Sequence, residues 1–264
     1  MDTLTHSIVI IGIITPLIGT TIGSSMVFFI RNEMNAFVWK ALYGIASGIM
    51  MAIAAFSLLG PAIEMSKELG GVNFLIPTIS FLIGVLALML FEKIMPEHDE
   101  AEVCAVGRTG SMKKSLLLAL SVALHNVPIG MASGAALAGA ATGKTPITMA
   151  AALVLALGIG IHNAPEGSII SLPLHGAGMS KKKSFLTGMA SGSIEPIFAT
   201  LTIVLALRLS HLLPILLAFA AGAMVFVIVK ELIPEAMEGE GEKIAPLMVA
   251  LGFALVMLLE TVVG

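Results

Sequence analysis

The chain has 264 residues, of which 57% are hydrophobic and only 12% are charged, and its formal net charge is −3. Soluble domains carry about 25% charged residues, so this composition excludes an ordinary soluble domain. Nucleic acid is not an expected partner. The single cysteine, Cys104, excludes an internal disulfide and any thiolate metal cluster within one monomer.

Eight apolar segments follow one another along the chain, and each is long enough to cross about 30 Å of hydrocarbon as a helix. We therefore predict an all-α polytopic membrane protein, a bundle of eight transmembrane helices in contact with a lipid bilayer. Residues 1–264 are expected to form a single transmembrane domain. Spans one to eight are predicted at residues 7–30, 37–60, 73–94, 115–140, 146–174, 184–208, 211–233 and 244–263.

Basic residues are distributed unequally between the two sides of this predicted bundle. Eleven of the fourteen Lys and Arg residues flank or lie in the odd-numbered loops, and three flank or lie in the even-numbered ones. The positive-inside rule then places the odd-numbered loops in the cytoplasm and both termini outside it. The short loops suggest a prokaryotic plasma (inner) membrane, with the protein crossing it several times.

The longest polar stretch, residues 95–114, joins spans three and four. It begins acidic and ends basic, which predicts a flexible cytoplasmic loop. His98 lies there among carboxylates and near Cys104. A solvated charge run is the simpler interpretation, and weak metal binding is the alternative.

Two copies of His-Asn-x-Pro lie in neighbouring spans, at 125–128 in span four and at 162–165 in span five, where Glu166 follows. Such polar groups are costly in hydrocarbon, about 2.5–3.5 kcal/mol for a charged residue at the centre of a helix. His162 and Glu166 are one helical turn apart and share a face. Imidazole, carboxylate and amide oxygen together suit Zn²⁺ and its neighbours better than Ca²⁺. The pattern predicts a divalent-metal site in the middle of the membrane.

Span six contributes a further buried carboxylate, Glu195, within Ser191-Gly192-Ser193-Ile194-Glu195-Pro196. Three prolines beside polar groups in successive spans predict locally opened helices that line one site. Small residues four apart, Gly130 with Gly134 and Gly188 with Gly192, predict close helix approach. The alternative is that these polar groups only hold the bundle together by hydrogen bonds.

Glu231 and Glu235 fall near the end of span seven. Their default position is the membrane interface, and the alternative is a staging role along a metal path.

Internal similarity links pairs of spans that cross the membrane in opposite directions. Residues 120–130 of span four align with 157–167 of span five, and more weakly 46–50 of span two resemble 220–224 of span seven. Similar sequence in opposite orientation predicts an inverted repeat, with the substrate site near the midplane.

These motifs resemble the ZIP family of divalent metal transporters, over nearly the whole chain. The resemblance rests on 162–167, 125–128 and 191–196, and on 44–50 and 221–234 in spans two and seven. It implies eight helices with both termini outside, and uptake of Zn²⁺ or a related divalent ion (Fe²⁺, Mn²⁺, Co²⁺, Cd²⁺) into the cytoplasm. It also implies a homodimer, with the metal ion as transported substrate and no cofactor.

The resemblance assigns metal-binding roles to His125, Asn126, His162, Asn163, Glu166 and Glu195. The two histidines and Glu166 would form a primary site. Both asparagines and both glutamates would form an adjacent second one. The family pattern has a carboxylate where this chain has Ile129, so the second site is expected to be weak or absent, and the centre to be asymmetric and anchored on Glu166.

Neutral imidazoles with one or two carboxylates bind a metal moderately and only when deprotonated, which suits a transporter that must release it. The expected mechanism is alternating access, in which the helix group that carries spans four and five moves against the rest. A metal exporter and a channel-like metal pore are alternatives. An intramembrane metallohydrolase is a third, but it commonly uses His-Glu-x-x-His, and each motif histidine here is followed by Asn.

Overall fold

The computed structural model describes residues 3–29, 36–68, 75–94, 112–143, 145–239 and 242–263. Every regular element within these ranges is a helix. Seven helical stretches in them are long and apolar enough to cross a membrane, and Leu75–Phe91 is a shorter apolar eighth. The predicted all-α polytopic membrane architecture with eight spans is confirmed.

The α-helices are α1 (Thr3–Phe29), α2 (Ala36–Ala52), α3 (Gly60–Glu68), α4 (Leu75–Ile94), α5 (Met112–Thr142), α6 (Met149–Gly176), α7 (Lys181–Gly192), α8 (Ile194–Arg208), α9 (Leu213–Val227), α10 (Ile233–Met237) and α11 (Ala245–Val263). A π-helical segment, Ile53–Leu59, joins α2 to α3 in span two, and another, Ile228–Leu232, joins α9 to α10 in span seven. Helices α7 and α8 together make span six.

The prolines of the central spans affect the helices less than expected. Helix α5 continues through Pro128, and α6 continues through Pro165. The prediction of locally opened helices is therefore wrong for spans four and five. A proline removes one backbone hydrogen bond, but membrane helices tolerate this where neighbouring helices and side chains satisfy the freed backbone groups. Span six is interrupted at Ser193, three residues before Pro196.

Four helix pairs make the most extensive contacts, namely α1 with α6, α5 with α8, α2 with α11, and α4 with α9. Glycine residues allow the backbones of paired helices to approach each other closely. A Cβ placed on Gly23 of α1 would lie 1.8 Å from the carbonyl oxygen of Ala164, and one on Gly130 of α5 would lie 2.6 Å from that of Glu195. The small-residue positions thus bring backbones together beside the polar motifs.

These pairings have the pattern that an inverted repeat produces. In span numbers, the four pairs are one with five, four with six, two with eight, and three with seven. Let each span be exchanged with its repeat counterpart: one with six, two with seven, three with eight, and four with five. The pair of spans one and five then becomes the pair of four and six, and the pair of two and eight becomes the pair of three and seven. The two π-helical segments also occupy corresponding places in spans two and seven. The spans fall into two groups, one of spans one, four, five and six, the other of spans two, three, seven and eight.

The polar loop predicted at 95–114 falls largely outside the described residues, which resume at Met112, the first residue of α5. The alternative metal role of His98 falls outside them too.

Candidate metal centre

A cavity of ≈ 70 Å³ lies where spans four and five meet spans two and seven. Both motif histidines, His125 and His162, line it together with Asn126 and Glu166. Span seven supplies Glu231 from its π-helical segment. The residues that the sequence singled out in two different spans therefore line one cavity.

Two imidazole–carboxylate pairs lie in this cavity. The Nε2 atom of His162 is 3.6 Å from Oε2 of Glu166, one turn further along α6. The Nε2 atom of His125 is 3.2 Å from Oε1 of Glu231, on the opposing helix group. Each imidazole thus has a carboxylate within reach, one on its own helix and one across the boundary between the groups.

The asparagines of the two motifs point their amide nitrogens at fixed oxygens. Asn163 donates from Nδ2 to Oε1 of Glu195 at 2.6 Å and to the main-chain oxygen of Pro16 at 3.2 Å. Asn126 donates to the main-chain oxygen of Ser191 at 3.4 Å. Among the described residues, no hydrogen-bond partner is found for Oδ1 of either asparagine or for Oε2 of Glu195. These oxygens are buried acceptors, suited to a cation.

Glu166 is the electrostatic centre of the cluster. Both of its carboxylate oxygens are buried and have no hydrogen-bond partner among the described residues, and its charge is close enough to interact with His125, Glu231 and Glu195. It therefore connects the cavity that it lines with the hydrogen-bonded Asn163–Glu195 pair, which lies outside the cavity lining.

All six residues assigned by the family resemblance are buried, namely His125, Asn126, His162, Asn163, Glu166 and Glu195. Removing polar and charged groups from water costs free energy unless they are paired. A bound divalent cation would supply that pairing for the unsatisfied oxygens.

The ligand groups are not gathered into a finished coordination shell. Within the described parts of the chain, no three His, Cys, Asp or Glu side chains lie close enough together to hold a metal ion. A bound ion would have to draw the two imidazole–carboxylate pairs together or recruit the amide oxygens beside them.

Comparison with known proteins settles the family. The family model described as "ZIP Zinc transporter" matches residues 96–260. The chain belongs to the ZIP family.

Full-length relatives of this ZIP-family chain are named zinc transporters. Zinc transporter ZIP11 of Xenopus tropicalis is 32% identical over 93% of this chain and 94% of its own length. Zinc transporter ZIPB of Bordetella bronchiseptica is 33% identical over 93% and 78%, and zinc transporter GufA of Myxococcus xanthus is 34% identical over 94% and 96%. The resemblance drawn from the motifs is confirmed.

The two halves of the ZIP-family motif are unequal in this structure. Ile129 lies one turn beyond His125, where Glu166 lies one turn beyond His162, and its side chain lines the same cavity. Ile129 is buried, at 2% exposure, in the apolar core. Span four therefore contributes an imidazole and an amide but no carboxylate.

Two residues of span seven have a larger part in the cavity of this ZIP-family chain than the sequence suggested. Glu231 and Glu235, for which the sequence predicted a position near the membrane interface, both line the cavity. Their spacing of four residues, which puts both carboxylates on one helical face, is the signal that could have identified them. The staging role, the alternative drawn from the sequence, stays a prediction.

Proposed function

We propose that this protein carries divalent metal ions, Zn²⁺ first among them, into the cytoplasm through the cavity between spans four, five and seven. The observation that carries the proposal is that both motif histidines and Glu166 line one buried cavity. Relatives named zinc transporters, among them ZIP11, ZIPB and GufA, support zinc as the ion.

The ligands divide into a primary and an auxiliary set. His125, His162 and Glu166 form the primary set, because imidazole nitrogen and carboxylate oxygen are ligands that Zn²⁺ accepts at about 2.0–2.2 Å. Asn126, Asn163 and Glu195 form the auxiliary set, since each has a buried side-chain oxygen for which the described residues provide no hydrogen-bond partner. Glu231 is within reach of the primary set through His125.

The orientation follows from charge. The positive-inside rule places the loop after α10 in the cytoplasm and both termini outside. Glu231 and Glu235 line the cavity one turn apart on span seven, with Glu235 nearer that loop. They provide carboxylates between the metal centre and the cytoplasmic side of a prokaryotic plasma membrane.

Alternating access fits the division of the helices into two groups. The primary ligands belong to spans four and five, and the carboxylate that faces His125 belongs to span seven of the other group. A relative movement of the two groups would change which carboxylates the ion meets. This is how a rigid pair of repeats exposes one site to each side in turn.

The test is uptake of Zn²⁺, Mn²⁺ and Fe²⁺ into proteoliposomes. Glu166→Ala and His162→Ala are expected to lower zinc uptake more than about tenfold, because each removes a charged or strongly donating ligand from the site. His211→Ala is the matched control, since His211 is exposed and away from the cavity, and it should transport at the wild-type rate. Uptake of every metal at the wild-type rate by Glu166→Ala would refute the proposed site. Transport only from the cytoplasmic face of the protein to its opposite face would favour an exporter.

A further inference from the structure

Lys40 is a buried cation in α2, outside the cavity lining but paired with Glu235, which does line the metal cavity. It is 9% exposed. Its ammonium donates to the main-chain oxygen of Glu235 and lies 3.5 Å from Oε1 of the same residue. Burying an ammonium group is costly unless it is paired, so this position is held by Glu235.

The partner of Lys40 belongs to the cavity. Glu235 lines it, and so does Tyr43, one turn beyond Lys40 on α2. The Lys40–Glu235 pair therefore lies at the end of the cavity next to α10, beyond Glu231.

Among the residues that the structure describes, three carboxylates have contacts or electrostatic interactions at this end of the cavity. Glu231 faces His125, and Glu235 faces Lys40. Glu238, exposed at the end of α10, also interacts with Glu235 and adds a further negative charge. Without Lys40, Glu231 and Glu235 would place two carboxylates one turn apart on the path between the primary ligands and the cytoplasm. Two such oxygen ligands beside two imidazoles would bind a divalent ion tightly.

We propose that Lys40 is a counter-cation that neutralises Glu235 and so limits how tightly the cavity holds a divalent metal ion on the release side. The inference rests on the proposed function, because it assumes that the ion passes this end of the cavity. Lys40 does not touch the metal. It acts through Glu235 by lowering the negative charge of the wall by one.

A purely structural role for Lys40 makes a different prediction. If the pair only fastens α2 to α10, removing either partner damages the protein in the same direction. If the pair sets charge, removing Lys40 and removing Glu235 change metal affinity in opposite directions, and removing both restores it.

The experiment is calorimetric titration of Zn²⁺ into the purified full-length protein, with proteoliposome kinetics alongside. Lys40→Gln removes the charge but keeps a donor for the Glu235 carbonyl, and we expect roughly tenfold tighter binding from one unpaired charge near the ion. Lys40→Met should do the same, and it keeps the test available if Lys40→Gln fails to fold. Lys40→Arg should stay within about twofold of wild type, since it retains the charge.

The reciprocal variants complete the charge series. Glu235→Gln leaves Lys40 unpaired and is expected to weaken zinc binding roughly tenfold. The double variant Lys40→Gln/Glu235→Gln should return to within about twofold of wild type. In transport, Lys40→Gln should lower both KM and the maximal rate, because an ion that is held more tightly is released more slowly.

Unchanged affinity in both Lys40→Gln and Lys40→Met would overturn the inference, as would shifts of the same sign in Lys40→Gln and Glu235→Gln. Failure of the proposed function is distinguishable from this. It would appear as zinc binding and uptake that survive Glu166→Ala, whereas failure of the Lys40 inference alone would leave Glu166→Ala inactive and only the Lys40 variants unchanged.

Discussion

At the scale of single residues, the centre is organised by two repeats of one motif that differ in their fifth position. His162 has Glu166 one turn away, at 3.6 Å between Nε2 and Oε2. His125 has Ile129 at the same spacing and finds its carboxylate instead on span seven, in Glu231 at 3.2 Å. An apolar side chain at position 129 thus leaves one imidazole to be completed by the opposite helix group.

Ile129→Glu would restore the missing carboxylate inside the cavity. We expect tightly bound zinc to rise from one to two ions per chain, because the new carboxylate lies one turn from His125 and is able to bridge toward Glu166. Metal analysis after equilibrium dialysis measures the stoichiometry. Ile129→Gln is the matched control, of similar length without the charge, and should stay at one. A single bound ion in Ile129→Glu would show that position 129 does not limit the number of ions.

At the scale of helices, the site depends on backbones that touch. Span one packs along span five, where Cβ atoms on Gly19 and Gly23 would lie within 2 Å of carbonyl oxygens of α6. The same contact lets the Pro16 carbonyl accept from Asn163 and so fixes the amide beside Glu195. Helix α1 contributes no predicted metal ligand, yet it orients one.

Gly23→Ala should therefore loosen the metal centre from a distance. A methyl group there would lie 1.8 Å from the Ala164 carbonyl, and overpacking of this kind costs about 1–3 kcal/mol. We expect a lower thermal unfolding midpoint in detergent together with slower zinc uptake. Gly176→Ala is the control, because a Cβ on Gly176 meets nothing within 4 Å. Equal midpoints for the two variants would contradict the role given to this contact.

The sequence predicted the helices and the motif residues better than it predicted how the helices pack. Hydrophobic length gave eight spans, and the repeated His-Asn-x-Pro gave residues that do share a cavity. It did not show that Glu231 faces His125, because pairing across spans depends on packing and on the π-helical segment that turns this carboxylate inward. The prolines also did not predict where helices open, since α5 and α6 continue through Pro128 and Pro165.

At the scale of the whole molecule, two groups of four spans meet at the candidate metal centre. The same helix pairs are obtained when each span is exchanged with the corresponding span of the inverted repeat, which crosses the membrane in the opposite direction. The primary ligands lie in one group, whereas Glu231, Glu235 and Lys40 lie in the other. Under the proposed function, a movement between the groups would separate the proposed primary ligands from Glu231 and Glu235. Homodimer formation stays a prediction of the family resemblance.

The most direct measurement is a structure of the zinc-loaded protein with anomalous scattering recorded at the zinc edge. The expected result is a peak in the cavity within about 2.0–2.2 Å of nitrogen from His125 and His162 and of oxygen from Glu166, with Asn126 or Glu231 completing the shell. Loss of this peak in Glu166→Ala would agree with it. A zinc peak in the membrane interior that touches none of these three residues would contradict the assignment.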